Sequence, residues 1–192
     1  MPRLQLEPYL SKDSLFTDIS EKVDSSRGWW VLYTKPRAEK SLARKLNQQG
    51  KDFFLPIHEF RTLRKNRVLK SYLPLFPGYV FIHGSDEDRV QSLKTNMIIA
   101  CIPVIDQVSL HHDLHAVHRL IQSGEVMTPE KQLMPGQTVE ILHGSLQGMT
   151  GKIIRKNNKE MFVVEVRMLQ RGVSVQIESW MIGAVTPNVR LG

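Results

Sequence analysis

Five cations fall within ten residues at Arg61, Arg64, Lys65, Arg67 and Lys70, with no acid among them. A second set comprises Lys35, Arg37, Lys40, Arg44 and Lys45. Arg37, Lys40 and Arg44 recur at helical spacing, with Lys35 and Lys45 flanking them. Cations so spaced neutralise phosphates. The blander readings are a solubilising loop for the first set and a solvated helix face for the second. Four histidines, His111, His112, His115 and His118, form a third cluster. On a helix, positions 111, 115 and 118 fall within about 60° of one another, a geometry compatible with metal ligation. No cysteine or acid shares that narrow face, although Asp113 is close in sequence. The expectation is therefore an exposed polar face and no metal. His143, beside Gly144, reads as a loop residue.

Nothing in the chain makes a case for catalysis. There is no nucleophile elbow, the carboxylates are scattered, and no glycine loop is built for phosphate. The expectation is a protein that is no enzyme and carries no cofactor. Its net charge of +7 and pI of about 9.6 favour an anionic partner. Residues 1–27 carry four basic and five acidic residues, 28–131 fifteen and ten, and 132–192 seven and four. The positive charge thus belongs to the parts expected to fold. The single cysteine, Cys101, lies in an apolar run and reads as a buried thiol, which fits a reducing cytoplasm. No run approaches the ~20 apolar residues of a membrane span, and no secretory signal is visible.

The elements that position these residues follow from periodicity. Residues 1–27 have no sustained apolar period and read as a flexible tail. A domain over 28–123 opens with a strand at Trp29–Tyr33. A helix follows, with Pro36 in its first turn and Gly50 at its end; Ala38, Leu42 and Leu46 make its inner face. Strands are expected at 52–58 and 78–82, with a hairpin turning at Lys65-Asn66 between them. A short helix covers 86–93, a buried strand 98–102 and a helix 110–123. The order implies a mixed, mainly antiparallel sheet with flanking helices, an α+β fold. Residues 124–135, with Gly124, Pro129 and Pro135, read as a linker. Over 136–187 the chain alternates as strands do. Val173, Val175 and Ile177 oppose Ser174, Gln176 and Glu178, and Asn157-Asn158 supplies a turn. Gly144, Gly148 and Gly151 punctuate a tight loop between two strands. A module this small should close its sheet into a barrel.

That glycine loop resembles the KOW motif of ribosomal proteins and transcription elongation factors. Upstream, Trp29-Trp30-Val31-Leu32-Tyr33-Thr34-Lys35-Pro36-Arg37-Ala38-Glu39 and Leu75-Phe76-Pro77-Gly78-Tyr79-Val80-Phe81 look like signatures of the NusG N-terminal domain. The three features in this order resemble the NusG family, and the two upstream segments look more like its specialised RfaH-like branch. The resemblance covers about residues 28–186. It implies an elongation and antitermination factor with a NusG-type α/β sandwich followed by an SH3-like KOW barrel. RNA polymerase is the implied partner, contacted at its clamp through Tyr33, Phe76, Tyr79 and Phe81. Tyr79 and Phe81 share a strand face, so surface contact and ordinary core are both open to them.

By the same resemblance, the first helix faces non-template DNA in the transcription bubble, with Lys35 and Lys45 at positions used for it. The RfaH-like branch has a threonine followed by a basic residue before the buried strand. Here Thr95 is followed by Asn96, and Lys94 could replace the charge. In the KOW module the implied partner surface is Leu146 with Met168, Leu169 and Arg171, Gln170 standing where the family has glycine. This implies coupling to the ribosome through a small-subunit protein, and counts against recruitment of termination factor Rho. The expected state is a monomer without membrane attachment. A housekeeping NusG, or a KOW-type ribosome-binding module without a polymerase role, are the alternatives.

Overall fold

The computed structural model describes residues 14–17, 26–64, 67–133 and 135–184. The chain divides into two compact units, Met1–His111 and His112–Gly192.

The first unit is built on a four-stranded sheet in the order β2-β5-β1-β6, from β1 (Gly28–Thr34), β2 (Asp52–Phe54), β5 (Tyr79–Gly84) and β6 (Ile98–Pro103). Every ladder in it is antiparallel. The remaining strands, β3 (Ile57–Arg64) and β4 (Arg67–Pro74), form a separate two-stranded ribbon. The single strand expected over 52–58 is split at Leu55-Pro56, because proline lacks the N–H a continuous ladder needs.

One sheet face packs on helix α2 (Glu39–Gln48). Leu42, Ala43 and Leu46 of the helix meet Leu32, Phe53, Val80 and Ile82 of the sheet. The helix begins three residues later than expected. Arg37 stands outside it at φ 62, and Gly50 at φ 68 follows its end. Helix α3 (Asp86–Leu93) starts at a reciprocal capping box between Ser85 and Asp88. Burial raises the Cys101 thiol above its ordinary range.

On the opposite sheet face Trp29, Val31, Phe54 and Phe81 are buried. Part of the segment read as a flexible tail contributes here. Residues Ser14–Thr17 form helix α1, and Phe16 is buried, stacked on Trp29 at 6.1 Å and edge-on to Phe54 at 5.1 Å. Residues 1–13 and 18–25 lie outside the described residues.

Helix α4 (Gln107–Ser123) buries Leu110, Leu114 and Val117 of the expected stripe Leu110, Leu114, Val117 and Ile121, but its fourth buried apolar residue is Leu120, with Ile121 only half-buried. The second unit's strands are β7 (Met127–Glu130), β8 (Gln137–Ile141), β9 (Thr150–Lys156), β10 (Lys159–Val166), β11 (Arg171–Gln176) and β12 (Ile182–Ala184). They form one antiparallel sheet ordered β12-β8-β9-β10-β11-β7. Asn157 and Asn158 make the β9–β10 turn, both at positive φ. Gly151 is required by packing. A Cβ there would stand 2.6 Å from the Val163 carbonyl and 2.7 Å from the Phe162 ring.

Strand β7 lies inside the segment read as a linker and pairs with β11. On the face of β11 expected to meet solvent, Ser174 is fully buried and its hydroxyl donates to Glu130 at 2.7 Å, while Gln176 stays exposed. Among the described residues no helix is long and apolar enough to cross a membrane.

Candidate functional site

Tyr33 ends β1 and Tyr79 opens β5, and the two are register partners. Their rings lie 5.4 Å apart at 43°. Tyr33 is 40% exposed. Gly78, at φ 88, lets the turn pass under the Tyr33 ring, which a Cβ would approach to 3.0 Å. The turn is fixed from two sides. Thr34 N–H donates to the Gly78 carbonyl at 2.8 Å, and Gly78 N–H donates to the buried Glu39 carboxylate at 2.8 Å. The surface role expected of Phe76 and Phe81 is corrected. They are 1% and 0% exposed, packed edge-on against each other, and belong to the core. Strand alternation carries Phe81 to the Val31 and Phe54 side of the sheet, where it is covered.

The cations around this corner divide. Lys35, Arg37, Lys45 and Lys94 are exposed, and no side-chain hydrogen bond or ion pair holds them among the described residues. Lys35 N–H donates to the Met97 carbonyl, which ties the end of β1 to the turn after α3. Lys40 differs from the expectation of a free cation: its ammonium donates to the Tyr72 carbonyl at 2.5 Å. Arg44 is exposed on α2. The Thr95 hydroxyl donates to the Ser92 carbonyl at 2.7 Å and so closes α3. Asn96 then takes φ 59, a conformation asparagine tolerates better than arginine does. Under α3, the Lys51 ammonium bonds Asp88 at 2.5 Å; with the Ser85 donors it lowers that carboxyl to about 2.

In the ribbon, Arg61 and Lys70 are register partners and both reach Glu59, at 2.5 and 3.2 Å. The Arg61 bond holds the Glu59 carboxyl below its ordinary range. Arg64 and Arg67 are also register partners, with no partner of opposite charge among the described residues. Lys65 lies outside the described residues.

The second unit carries the remaining candidates. Gly144 and Gly148 take φ of 90 and 75 in the loop before β9. Leu146, expected at the surface, is 1% exposed, and its carbonyl accepts from the Met149 N–H at 3.0 Å. Met168 and Leu169 sit half-buried on a 3-10 turn, Arg167–Leu169, and Arg171 opens β11. Gln170 takes φ 52, the conformation that favours glycine there. Among the described residues no three His, Cys, Asp or Glu side chains are placed to hold a metal ion. His111 accepts from the Trp29 indole N–H at 3.3 Å, and burial lowers His115.

Residues 27–143 of the 192 match the family described as "Transcription termination factor nusG". The chain belongs to the NusG family. This is a family of transcription termination and elongation factors, not of enzymes. No curated protein matches the chain. A solved structure reporting domain interaction in Thermotoga maritima NusG is similar to it. The alignment covers 84% of this chain and 99% of that one, at 18% identity and a TM-score of 0.47. At that score the likeness adds nothing to the family match.

Three features of this NusG-family chain escape periodicity. Glu39, which the sequence marks only as the last residue of the Trp29–Glu39 segment, turns its carboxylate inward onto Gly78. Asp113, among the histidines, accepts from the Arg167 backbone N–H at 2.9 Å and from its guanidinium at 2.9 Å. Fifty-four residues separate the two, and no local pattern signals such a pair. Trp180 is 67% exposed beside His143, with ring centroids 5.8 Å apart.

Proposed function

We propose that this NusG-family protein binds elongating bacterial RNA polymerase through the Tyr33–Tyr79 corner and suppresses pausing or termination. The observation that carries the reading is a tyrosine pair, Tyr33 exposed and Tyr79 half-buried, with two exposed, unpaired cations, Lys35 and Arg37, just after Tyr33. Aromatic rings give large, stiff contact area for anchoring to a protein surface. Unpaired cations beside them suit a phosphate backbone, and the resemblance to the RfaH-like branch assigns them to non-template DNA in the bubble. Arg37 adds weight, because a non-glycine residue at φ 62 is a backbone outlier of the kind that gathers at functional sites. Lys45 and Lys94 extend the same charge.

The second unit functions as a KOW-type barrel that recruits a further partner, the ribosome in preference to Rho. Met168, Leu169 and Arg171 support that assignment, with β7 as an added edge strand. The Thr34-Lys35-Pro36-Arg37 and Phe76-Pro77-Gly78-Tyr79 segments favour an operon-specialised, RfaH-like role over a housekeeping one. Co-purification of the tagged protein with its own polymerase tests the reading. Retention on polymerase and transcript changes confined to a few long operons are expected. Association with ribosomes alone, persisting when transcription is blocked, overturns it.

A further inference from the structure

Alternate residues of a strand share a face. Tyr33, Val31 and Trp29 of β1 therefore line one side of the first sheet with their register partners in β5, Tyr79, Phe81 and His83. Phe54 of β2, paired with Phe81, continues that side. The Tyr33–Tyr79 corner is thus one end of an aromatic stripe. The other end, at Trp29 and Phe54, is covered by Phe16 of α1, which stacks on the first ring and meets the second edge-on. Phe16 is 5% exposed and lies beside His111 as well, with ring centroids 5.8 Å apart.

Helix α1 has four residues, little more than one turn. So short a helix does not hold itself together in water, because its first hydrogen bond must fix several residues at once. Its seat on the sheet therefore depends on the buried Phe16 ring. The chain is fixed afresh at Arg27, whose guanidinium donates to Asp52 at 2.8 Å and to the His83 carbonyl at 3.2 Å. That anchor lets α1 lift away while β1 stays in place. The family match also begins at residue 27, so the sheet lies within the shared fold and the helical turn that covers it lies outside.

We infer that α1 is a displaceable cap on the polymerase-binding face: Phe16 occupies the Trp29–Phe54 end of the stripe in the free protein and leaves it when polymerase binds. The inference rests on the polymerase reading above and adds a regulation of that same surface. Aromatic and aliphatic anchors bind by filling apolar seats. A seat already filled by a ring of the chain itself is closed to a partner's side chain. When only a fraction of the molecules is competent to bind, the apparent affinity falls by that fraction. One contact then stabilises the free fold and weakens polymerase binding. An ordinary core phenylalanine does only the first.

Biolayer interferometry of the full chain on immobilised cognate core polymerase tests this, beside a urea midpoint for every variant. F16A is expected to bind on the order of tenfold tighter than wild type while unfolding at lower urea. F16L, which keeps an apolar side chain and guards against a failure of F16A to fold, should lie between the two in both respects. A synthetic peptide of residues 11–20, at the millimolar level that a short tether supplies in the native chain, should reverse the gain of F16A. The same peptide carrying F16A should not. A lower urea midpoint with unchanged or weaker polymerase affinity makes Phe16 a core residue alone and overturns the cap. So does a gain that the wild-type peptide leaves intact. If wild type and F16A bind equally while Y33A weakens both, the cap falls and the corner stands. No polymerase affinity in any variant overturns the polymerase reading, and the cap with it.

Discussion

The Glu39 carboxylate accepts the Gly78 N–H at 2.8 Å, joining the first turn of α2 to the turn that opens β5. Two segments 39 residues apart in sequence thus share one buried hydrogen bond, next to the Tyr33–Tyr79 corner. Glu39→Ala strands the Gly78 N–H and is expected to cost about 1–3 kcal/mol. Glu39→Gln keeps an acceptor and should cost less. Urea unfolding measures both; equal losses would mean that the bond does not hold the corner.

Arg37 is expected to trade stability for function. Arg37→Gly relieves a left-handed backbone at about 1–2 kcal/mol, less the greater freedom of glycine in the unfolded chain, about 0.4–1 kcal/mol. The variant should unfold at higher urea and bind single-stranded DNA more weakly. A rise in stability with unchanged DNA affinity would leave the strained arginine without a role.

The Lys51–Asp88 pair sets a pH dependence. The Asp88 carboxyl is lowered to about 2 in the folded chain, below its unfolded value near 4. A depressed carboxyl adds stability above its unfolded pKa, and that increment is lost as pH falls toward the folded one. Asp88→Asn should therefore be less stable than the parent at pH 6, with the gap closing between about pH 4 and pH 2. A gap that stays constant down to pH 2 would contradict the pairing.

Within the second unit, Asp113 and Arg167 should couple. Arg167→Ala leaves a nearly buried carboxylate with one backbone donor, at a cost of about 1–3 kcal/mol. A double-mutant cycle with Asp113→Ala is expected to show an interaction of about 0.5–3 kcal/mol. Additivity within experimental error would mean that the 3-10 turn bearing Met168 and Leu169 is held by something else.

Much of this architecture is legible in residue order. Periodicity places α3 at Asp86–Leu93, and Asn157-Asn158 marks a tight turn because few other residues accept positive φ twice in succession. What is not legible is set by contacts remote in sequence. Phe81 reads equally well as surface or core until Phe54 and Phe76 are brought beside it. Strand β7 hides behind Pro129, which the edge position of that strand tolerates. Lys40 reads as one cation of a helical row, yet the Tyr72 carbonyl takes it out of the surface set. Free and committed cations look alike in a sequence; only the partners reached by folding divide Lys35 from Lys40, or Arg64 from Arg61.

The most direct measurement is pause lifetime in single-round transcription by the cognate RNA polymerase, with and without the protein. The wild type should shorten pauses. Tyr33→Ala, at an exposed position, should fold normally and lose polymerase affinity by about 2 kcal/mol, some 30-fold, as an aromatic anchor does. Pause lifetimes unchanged by saturating wild-type protein, with no co-elution on polymerase, would contradict the proposed function outright.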